Sequence, residues 1–142
     1  MDYSVSSILS LVSRVHSLAA DFLQKKLSDK GLPELTSSHG FILFCLAKNQ
    51  MTMGELSSKI NRDKSTTTFL VRKLESLGFV QIRKSDEDSR KKILSLTEKG
   101  SEYNAITEEI STQLLEGAYK NFEEAEKQKL LELLVKMSEN LE

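Results

Sequence analysis

The middle of the chain changes its apolar spacing from that of a helix to that of a strand, which limits the folds open to it. Residues 52–60 and 64–77 carry apolar side chains at helical spacing, with a short polar break between them. Residues 79–83 and 92–96 then alternate with a period of two and include β-branched and aromatic side chains. Two short helices joined by a tight polar turn and followed by a hairpin predict a helix-turn-helix with a β-hairpin beside it.

Apolar stripes flank this segment on both sides. The first extends from Val5 to Leu23 and predicts a helix of about 25 residues ending near Gly31. Because that helix is long for a chain of 142 residues, we expect part of its stripe to face another chain. Hydroxyl residues at 36–38 offer an N-cap for a second helix, and Thr52 offers one for a third. Two helices are expected after the hairpin, with the stripes Ile106, Ile110, Leu114, Ala118, Phe122 and Leu130, Leu134, Met137, Leu141.

The net charge of −1 conceals a basic middle segment. Between Lys59 and Lys92 there are ten Lys and Arg against five Asp and Glu, a balance of +5, and the remainder carries −6. A basic segment between acidic ends is typical of a surface that meets a polyanion. On charge alone, an ordinary charged surface remains the alternative.

The composition is that of an ordered globular protein, with 39% hydrophobic and 29% charged residues. The longest apolar run, residues 41–47, is far shorter than the roughly 20 residues that span a bilayer. The N-terminus shows no basic region of a signal peptide, and the single cysteine excludes an internal disulfide. We therefore expect a cytoplasmic protein that makes no contact with membranes.

Residues able to carry catalysis are few. His16 and His39 fall on different predicted helices, and neither has the neighbours that zinc ligation needs. No phosphate-binding glycine loop and no nucleophile elbow are present. Cys45 lies in an apolar helical run, which favours a buried, inert thiol over a redox sensor. The sequence thus predicts neither an enzyme nor a metal site nor a cofactor.

The second helix of a helix-turn-helix lays its N-terminal turns in the major groove of DNA. Helical phase turns Thr67 inward, toward the side of Leu70 and Val71. Phe69 falls on the open side, where it either touches a thymine methyl or packs over the hairpin. A solvated face that happens to be rich in Ser and Thr is the alternative interpretation. The DNA-binding residues predicted on this helix are Lys64, Ser65, Thr66, Thr68, Phe69, Arg72 and Lys73.

The charged tip of the hairpin supplies the second predicted contact. Arg90 is expected to enter a minor groove, where a guanidinium is favoured in narrow A·T-rich stretches. Asp88 is expected to hold Arg90 extended, because its own charge would repel phosphate. The DNA-binding residues predicted on the hairpin are Arg83, Lys84, Arg90, Lys91 and Lys92.

Several strings in the chain resemble the MarR-type winged helix-turn-helix regulators. The most specific are Asp88-Ser89-Arg90 and Leu96-Thr97-Glu98-Lys99-Gly100, and the runs at 63–68 and 74–80 agree with them. The resemblance implies a mainly α fold with a small β-hairpin wing. It also implies one MarR-like domain over residues 1–142, with dimerisation helices at 1–35 and 100–142 and a winged helix-turn-helix DNA-binding lobe at 36–99.

The resemblance further implies a homodimer that binds a pseudo-palindromic operator in double-stranded DNA, often as a repressor released by a small-molecule effector. The dimer-interface candidates are Ile8, Val12, Val15, Leu114, Leu134, Met137 and Leu141. The effector-binding candidates are His16, His39, Gly40 and Cys45, although a structural role for either histidine is the simpler interpretation.

Two other functions stay open at this point. One is a winged helix that binds proteins without reading DNA, against which the basic segment stands. The other is a redox-responsive regulator that acts through Cys45, although no cysteine lies near the start of the first helix, where peroxide-sensing relatives carry one.

Overall fold

The computed structural model describes residues 3–33 and 35–142; residues 1, 2 and 34, which fall in the predicted dimerisation segment 1–35, lie outside the described residues. A short 3₁₀ turn at Val5–Ser7 leads into the first helix. The helices are α1 (Ile8–Asp29), α2 (Ser37–Lys48), α3 (Met53–Ile60), α4 (Lys64–Ser76), α5 (Glu98–Ala118) and α6 (Glu124–Glu139), and the strands are β1 (Met51–Thr52), β2 (Val80–Lys84) and β3 (Lys92–Leu96). This order confirms the predicted mainly helical fold with a hairpin wing.

Local capping residues set the bounds of the central helices. Thr36, Thr52 and Thr97 precede α2, α3 and α5, and each side chain accepts a hydrogen bond from the backbone N–H three residues on. Asn61 ends α3 in the left-handed conformation with φ 53°. Gly78 follows α4 with φ 77°, a conformation that a residue without Cβ adopts freely. These local signals explain why α2, α3 and α5 begin, and why α3 and α4 end, where the sequence predicts.

The wing is a three-stranded antiparallel sheet in the order β1-β3-β2. In the hairpin, Val80 pairs with Leu96 and Lys84 with Lys92. The sequence did not predict β1, whose Met51 pairs with Leu94, because two residues are too few to show a period of two.

The core lies between α2, α3, α4, the sheet and the first half of α5. Its apolar members are Leu27, Ile42, Leu43, Cys45, Leu46, Met51, Leu56, Val71, Leu74, Phe79, Val80, Leu94, Tyr103 and Ile110. Phe79 and Tyr103 stack with ring centroids 4.6 Å apart, and the Tyr103 hydroxyl donates to the Pro33 carbonyl at 2.8 Å. Burial raises the pKa of Tyr103 to about 12. Tyr103 thereby joins α5 to the residue before β2 and to the segment between α1 and α2.

Two predicted helical stripes extend too far. Helix α5 ends at Ala118, and Asn121 then adopts φ 67°, so Phe122 lies in a turn, edge-on to Tyr119 with centroids 5.5 Å apart. Leu141 lies beyond the end of α6 and is 75% exposed. Apolar spacing continued past both breaks because spacing alone carries no stop signal.

Helices α1 and α6 keep most of their apolar side chains uncovered. In α1 the buried residue is Leu27, and α6 has none.

Within residues 3–33 and 35–142, no helix combines the length and hydropathy that crossing a bilayer would require.

Candidate nucleic-acid interface

The start of α4 is organised by one carboxylate. Asp63 accepts the backbone N–H of Thr66 at 2.7 Å, the Ser65 hydroxyl at 2.7 Å and the Thr66 hydroxyl at 3.0 Å. These hydrogen bonds, with that from the Thr66 backbone the strongest, lower the pKa of Asp63 to about 2. The carboxylate is therefore ionised at neutral pH and caps the helix.

This arrangement decides what the two hydroxyls can offer a ligand. Because Ser65 and Thr66 direct their hydrogens to Asp63, their free lone pairs are hydrogen-bond acceptors. Such acceptors suit the exposed amino groups of adenine or cytosine in a major groove and do not suit a phosphate. The sequence placed both residues on this surface but did not indicate the part that Asp63 plays.

Helix α4 presents most of the predicted residues to solvent. Thr67 is buried, as helical phase predicts, and its hydroxyl donates to the Asp63 backbone carbonyl at 2.8 Å. Exposed residues are Lys64, Ser65, Phe69, Arg72 and Lys73, whereas Thr66 and Thr68 are half-buried. Phe69 is 75% exposed, so it does not pack over the hairpin.

The wing tip holds its arginine in an open position. Asp88 accepts from the Arg90 backbone N–H at 3.0 Å and from Arg90 Nε at 3.2 Å, so the two residues are in contact. The Arg90 side chain nevertheless stays 90% exposed. The Arg90 backbone and side-chain N–H groups lower the pKa of Asp88 below its ordinary value, because both hydrogen bonds favour the charged carboxylate. The remaining guanidinium nitrogens of Arg90 are directed to solvent.

Further along the wing, basic residues face each other across the ladder. Lys84 and Lys92 are directly paired in the antiparallel register. Like charges in that position repel, and a bound polyanion would relieve the repulsion. Arg83 donates from Nη2 to Gln50 Oε1 at 3.3 Å, a contact that sequence reasoning missed because the two residues lie far apart in the chain.

Residues from α4 and from the wing tip converge on one hollow of about 350 Å³. Its lining includes the first residues of α3, whose backbone N–H groups form the positive end of a helix dipole. It is lined by Thr52, Met53, Gly54, Lys64, Thr68, Arg72, Ile82, Arg90, Lys91 and Lys92. Five of these side chains are positively charged and none is acidic, so the hollow is suited to an anionic backbone.

Comparison with known proteins agrees with this geometry. The family model described as "MarR family" matches residues 35–92, which contain α2, α3, α4 and most of the wing. The HTH-type transcriptional regulator YwoH of Bacillus subtilis (strain 168) is 33% identical over 113 residues, covering 75% of this chain and 80% of YwoH. The chain belongs to the MarR family of transcriptional regulators.

A second relative of this MarR-family chain is similar over a smaller part of its length. The HTH-type transcriptional regulator YdgJ of the same organism is 26% identical over 93 residues, which is 66% of this chain and 57% of YdgJ. The matched part thus spans little more than half of that relative.

Solved structures show the same winged helix fold. The S. aureus MepR–DNA complex aligns with a TM-score of 0.79 at 20% identity, covering 98% of this chain and 99% of that one. The structure of Bordetella bronchiseptica BpsR, described by the regulation of its DNA binding by 6-hydroxynicotinic acid, aligns with a TM-score of 0.75 at 19% identity, covering 97% and 98%.

The MarR-family chain has two further hollows beside α1, α2 and α5. Gly40 lines the first, of about 600 Å³, and His16 lines the second, of about 480 Å³. Leu23, Leu27 and Leu35 border both, which gives the pair a shared apolar wall. The two hollows lie where α1 and α5 meet α2 and the segment that precedes it.

Two of the four effector candidates line neither of these hollows. Cys45 is a buried member of the core. His39 is 8% exposed, and its Nδ1 accepts from the Thr36 backbone N–H at 3.3 Å, so its proton lies on Nε2. Nε2 is buried and has no hydrogen-bond partner among the described residues. Burial, followed by the charge of Lys73, lowers the pKa of His39. His39 is therefore a neutral capping residue of α2.

Among the residues that the structure describes, no group of three or more His, Cys, Asp or Glu side chains is arranged to hold a metal ion.

Proposed function

We propose that this MarR-family chain is a dimeric, sequence-specific DNA-binding repressor that recognises a pseudo-palindromic operator. The observation that carries the proposal is the basic hollow that α4 and the wing tip line together. Lys64 and Arg90 lie 26 positions apart in the chain, yet both line it. A hollow lined by cations from a recognition helix and from a wing suits a DNA phosphate backbone.

On this proposal, α4 enters the major groove and the wing tip enters the adjacent minor groove. Lys64, Lys91 and Lys92 hold phosphates and set the register, while Ser65, Thr66 and Arg72 meet base edges. Thr68 and Lys73 flank these contacts, and Arg83 and Lys84 extend the phosphate contacts along the wing. Asp88 keeps Arg90 extended toward the minor groove. MepR, a protein of the same fold, was solved as a complex with DNA, which supports DNA as the ligand of this chain.

The uncovered stripes of α1 and α6 support a second copy of this chain as the dimer partner. Apolar side chains that no part of the described chain covers would form a large hydrophobic patch on a monomer. The exposed members include Ile8, Leu9, Val12, Val15 and Leu18 of α1, and Leu130, Leu131, Leu133, Leu134 and Val135 of α6. Leu114 of α5 and Met137 of α6 are half-buried, and Leu141 follows α6. We accordingly assign residues 1–35 and 100–142 to dimerisation and 36–99 to DNA binding.

The paired hollows beside α1, α2 and α5 support a small-molecule effector with an apolar body and hydrogen-bonding groups. Thr36 and Ser37 border both hollows, and His16 and Gly40 each border one. A ligand bound there would favour one spacing of the two DNA-binding lobes, to the extent that it binds one dimer state better than the other. BpsR, which has the same fold and whose DNA binding is regulated by 6-hydroxynicotinic acid, supports regulation by a small molecule.

Selection of bound sequences from a random duplex pool at near-physiological salt tests the function. We expect an inverted repeat whose half-sites lie about one helical turn apart. When that repeat is placed so that it overlaps a promoter, adding the protein should lower the transcript yield in vitro. Recovery of no motif, with binding that disappears as salt rises, would contradict sequence-specific readout and favour a protein-binding winged helix. A rise in transcript yield would instead indicate an activator.

A further inference from the structure

Phe69 is the outermost large apolar side chain on the exposed face of α4. It is 75% exposed, and among the described residues no other aromatic ring stacks on it. Leaving a phenyl ring in water forgoes the free energy that burial would supply. An exposed ring at the centre of a ligand-binding face is therefore an indication of what that face binds.

The phase of the helix fixes the direction of this ring. Thr67, Val71 and Leu74 are buried and define the inward side of α4. At 100° per residue, Phe69 lies almost opposite their mean direction. Ser65 lies one turn before it on the same ridge, and Arg72 follows it. The ring thus projects from the middle of the face that the proposed function assigns to the major groove.

The chemistry of the major groove leaves one apolar partner for such a ring. Base edges there present hydrogen-bond donors and acceptors, and thymine alone adds a C5 methyl group. A phenyl ring makes no hydrogen bond, so it gains little from guanine or cytosine but gains dispersion and hydrophobic burial from a methyl. Ser65 supplies a neighbouring acceptor suited to the amino group of adenine, because its own hydrogen is held by Asp63.

We propose that Phe69 determines specificity by contacting the C5 methyl of one thymine in each operator half-site. The Ser65 hydroxyl oxygen accepts a hydrogen bond from the amino group of an adjacent adenine. This inference rests on the proposed DNA-binding function. The flanking cations Arg72 and Lys73 favour DNA over a protein partner for the ring, since positive charge on both sides of it favours a polyanion.

Replacing thymine by deoxyuridine tests the contact, because it deletes the methyl and leaves base pairing intact. The probe is the inverted repeat selected above, in which each symmetric pair of thymines is replaced in turn by deoxyuridine. For the unaltered protein, we expect one pair of positions at which affinity falls about fourfold per methyl lost. All other replacements should leave affinity nearly unchanged.

Two variants separate this contact from general DNA binding. Phe69→Ala should bind the thymine and deoxyuridine operators equally, whereas Phe69→Leu should keep part of the discrimination because it keeps an apolar side chain. Since Phe69 is exposed, both variants should retain the circular dichroism spectrum of the unaltered protein.

The outcomes distinguish failure of this inference from failure of the proposed function. If no inverted repeat is selected, the proposed function is wrong. If the repeat is selected but no thymine is sensitive, or if Phe69→Ala keeps the same sensitive position, then Phe69 does not read the methyl. An unaltered affinity of Phe69→Ala for the operator would likewise overturn the inference.

Discussion

Gly100 is the position at which a single methyl group should do the most damage to this fold. A Cβ there would lie 1.9 Å from the Phe79 carbonyl oxygen and 2.8 Å from the carbonyl carbon. Ordinary van der Waals contact begins at about 3.4 Å. In Gly100→Ala the start of α5 and the turn before β2 must therefore separate by roughly 1.5 Å, the difference between 1.9 and 3.4 Å.

The contacts that cross this junction set the expected loss. Thr97 donates from its backbone N–H to the Phe79 carbonyl at 3.1 Å and from its hydroxyl to the Gly78 carbonyl at 2.5 Å, and Lys99 donates to the Leu77 carbonyl at 2.9 Å. Each is worth about 1 kcal/mol. Loss of the Phe79–Tyr103 ring stacking adds about 1 kcal/mol, and the better helix propensity of alanine returns about 1 kcal/mol. We expect Gly100→Ala to lower the free energy of unfolding by about 3 kcal/mol.

Urea unfolding followed by circular dichroism measures this difference, with all variants at one protein concentration because dimerisation couples stability to concentration. Gly40→Ala is the matched control, since a Cβ at this helical position meets nothing within 4 Å. The control should be unchanged or up to about 1 kcal/mol more stable. A Gly100→Ala protein within about 1 kcal/mol of the unaltered protein would refute the reasoning, because the junction would then yield without breaking its contacts.

Three further predictions address DNA binding, dimerisation and pH. Arg90→Ala should weaken operator binding strongly in fluorescence anisotropy while the fold stays intact. The control Lys120→Ala removes the same charge away from the wing and should have little effect on binding. Equal losses of affinity in the two variants would remove the wing from the interface. Leu134→Asp should give monomers in analytical ultracentrifugation, because the interface would bury an unpaired charge. The control Gln128→Glu adds a charge on the same helix and should remain a dimer. A dimeric Leu134→Asp protein would place the interface elsewhere. Because the pKa of His39 is lowered in the folded state, its contribution to stability is complete above the ordinary value of 6.5 and is lost as pH falls below it. His39→Gln keeps a capping side chain at this position, so its free energy of unfolding should fall less steeply between pH 7 and pH 5 than that of the unaltered protein. An equal pH dependence in the two proteins would exclude this histidine as a source of the loss.

The DNA-binding segment was the most predictable part of the molecule because its determinants are local. The start of α3 at Thr52 and the turn after α4 at Gly78 depend on residues within four positions of each other. The contact of Asp88 with Arg90 is equally local and was predicted. Helical phase likewise identified the burial of Thr67 from its own segment. The C-terminal ends of α5 and α6 were predicted too late in the chain, because the apolar spacing continues past Asn121 and past the end of α6.

Other features of the site needed the folded chain. The two interpretations of Phe69 could be separated only when its neighbours in space were known, and its 75% exposure excludes packing on the hairpin. The histidines looked alike in the sequence, yet His16 borders a hollow whereas His39 is buried as a cap of α2. Gly100 gave no sign that it touches the Phe79 backbone.

By itself the sequence determined the order of the helices and of the two hairpin strands, the bounds of α4, the basic character of the middle segment and the apolar stripes at both ends. These depend on hydrogen bonds and side-chain spacing within a few residues, which the sequence states directly. The tertiary structure decided that Lys64 meets Arg90 around one hollow, that Arg83 reaches Gln50, and that β1 completes the wing. Those contacts join residues about 26 to 43 positions apart, and only the packing of the core brings such distant segments together.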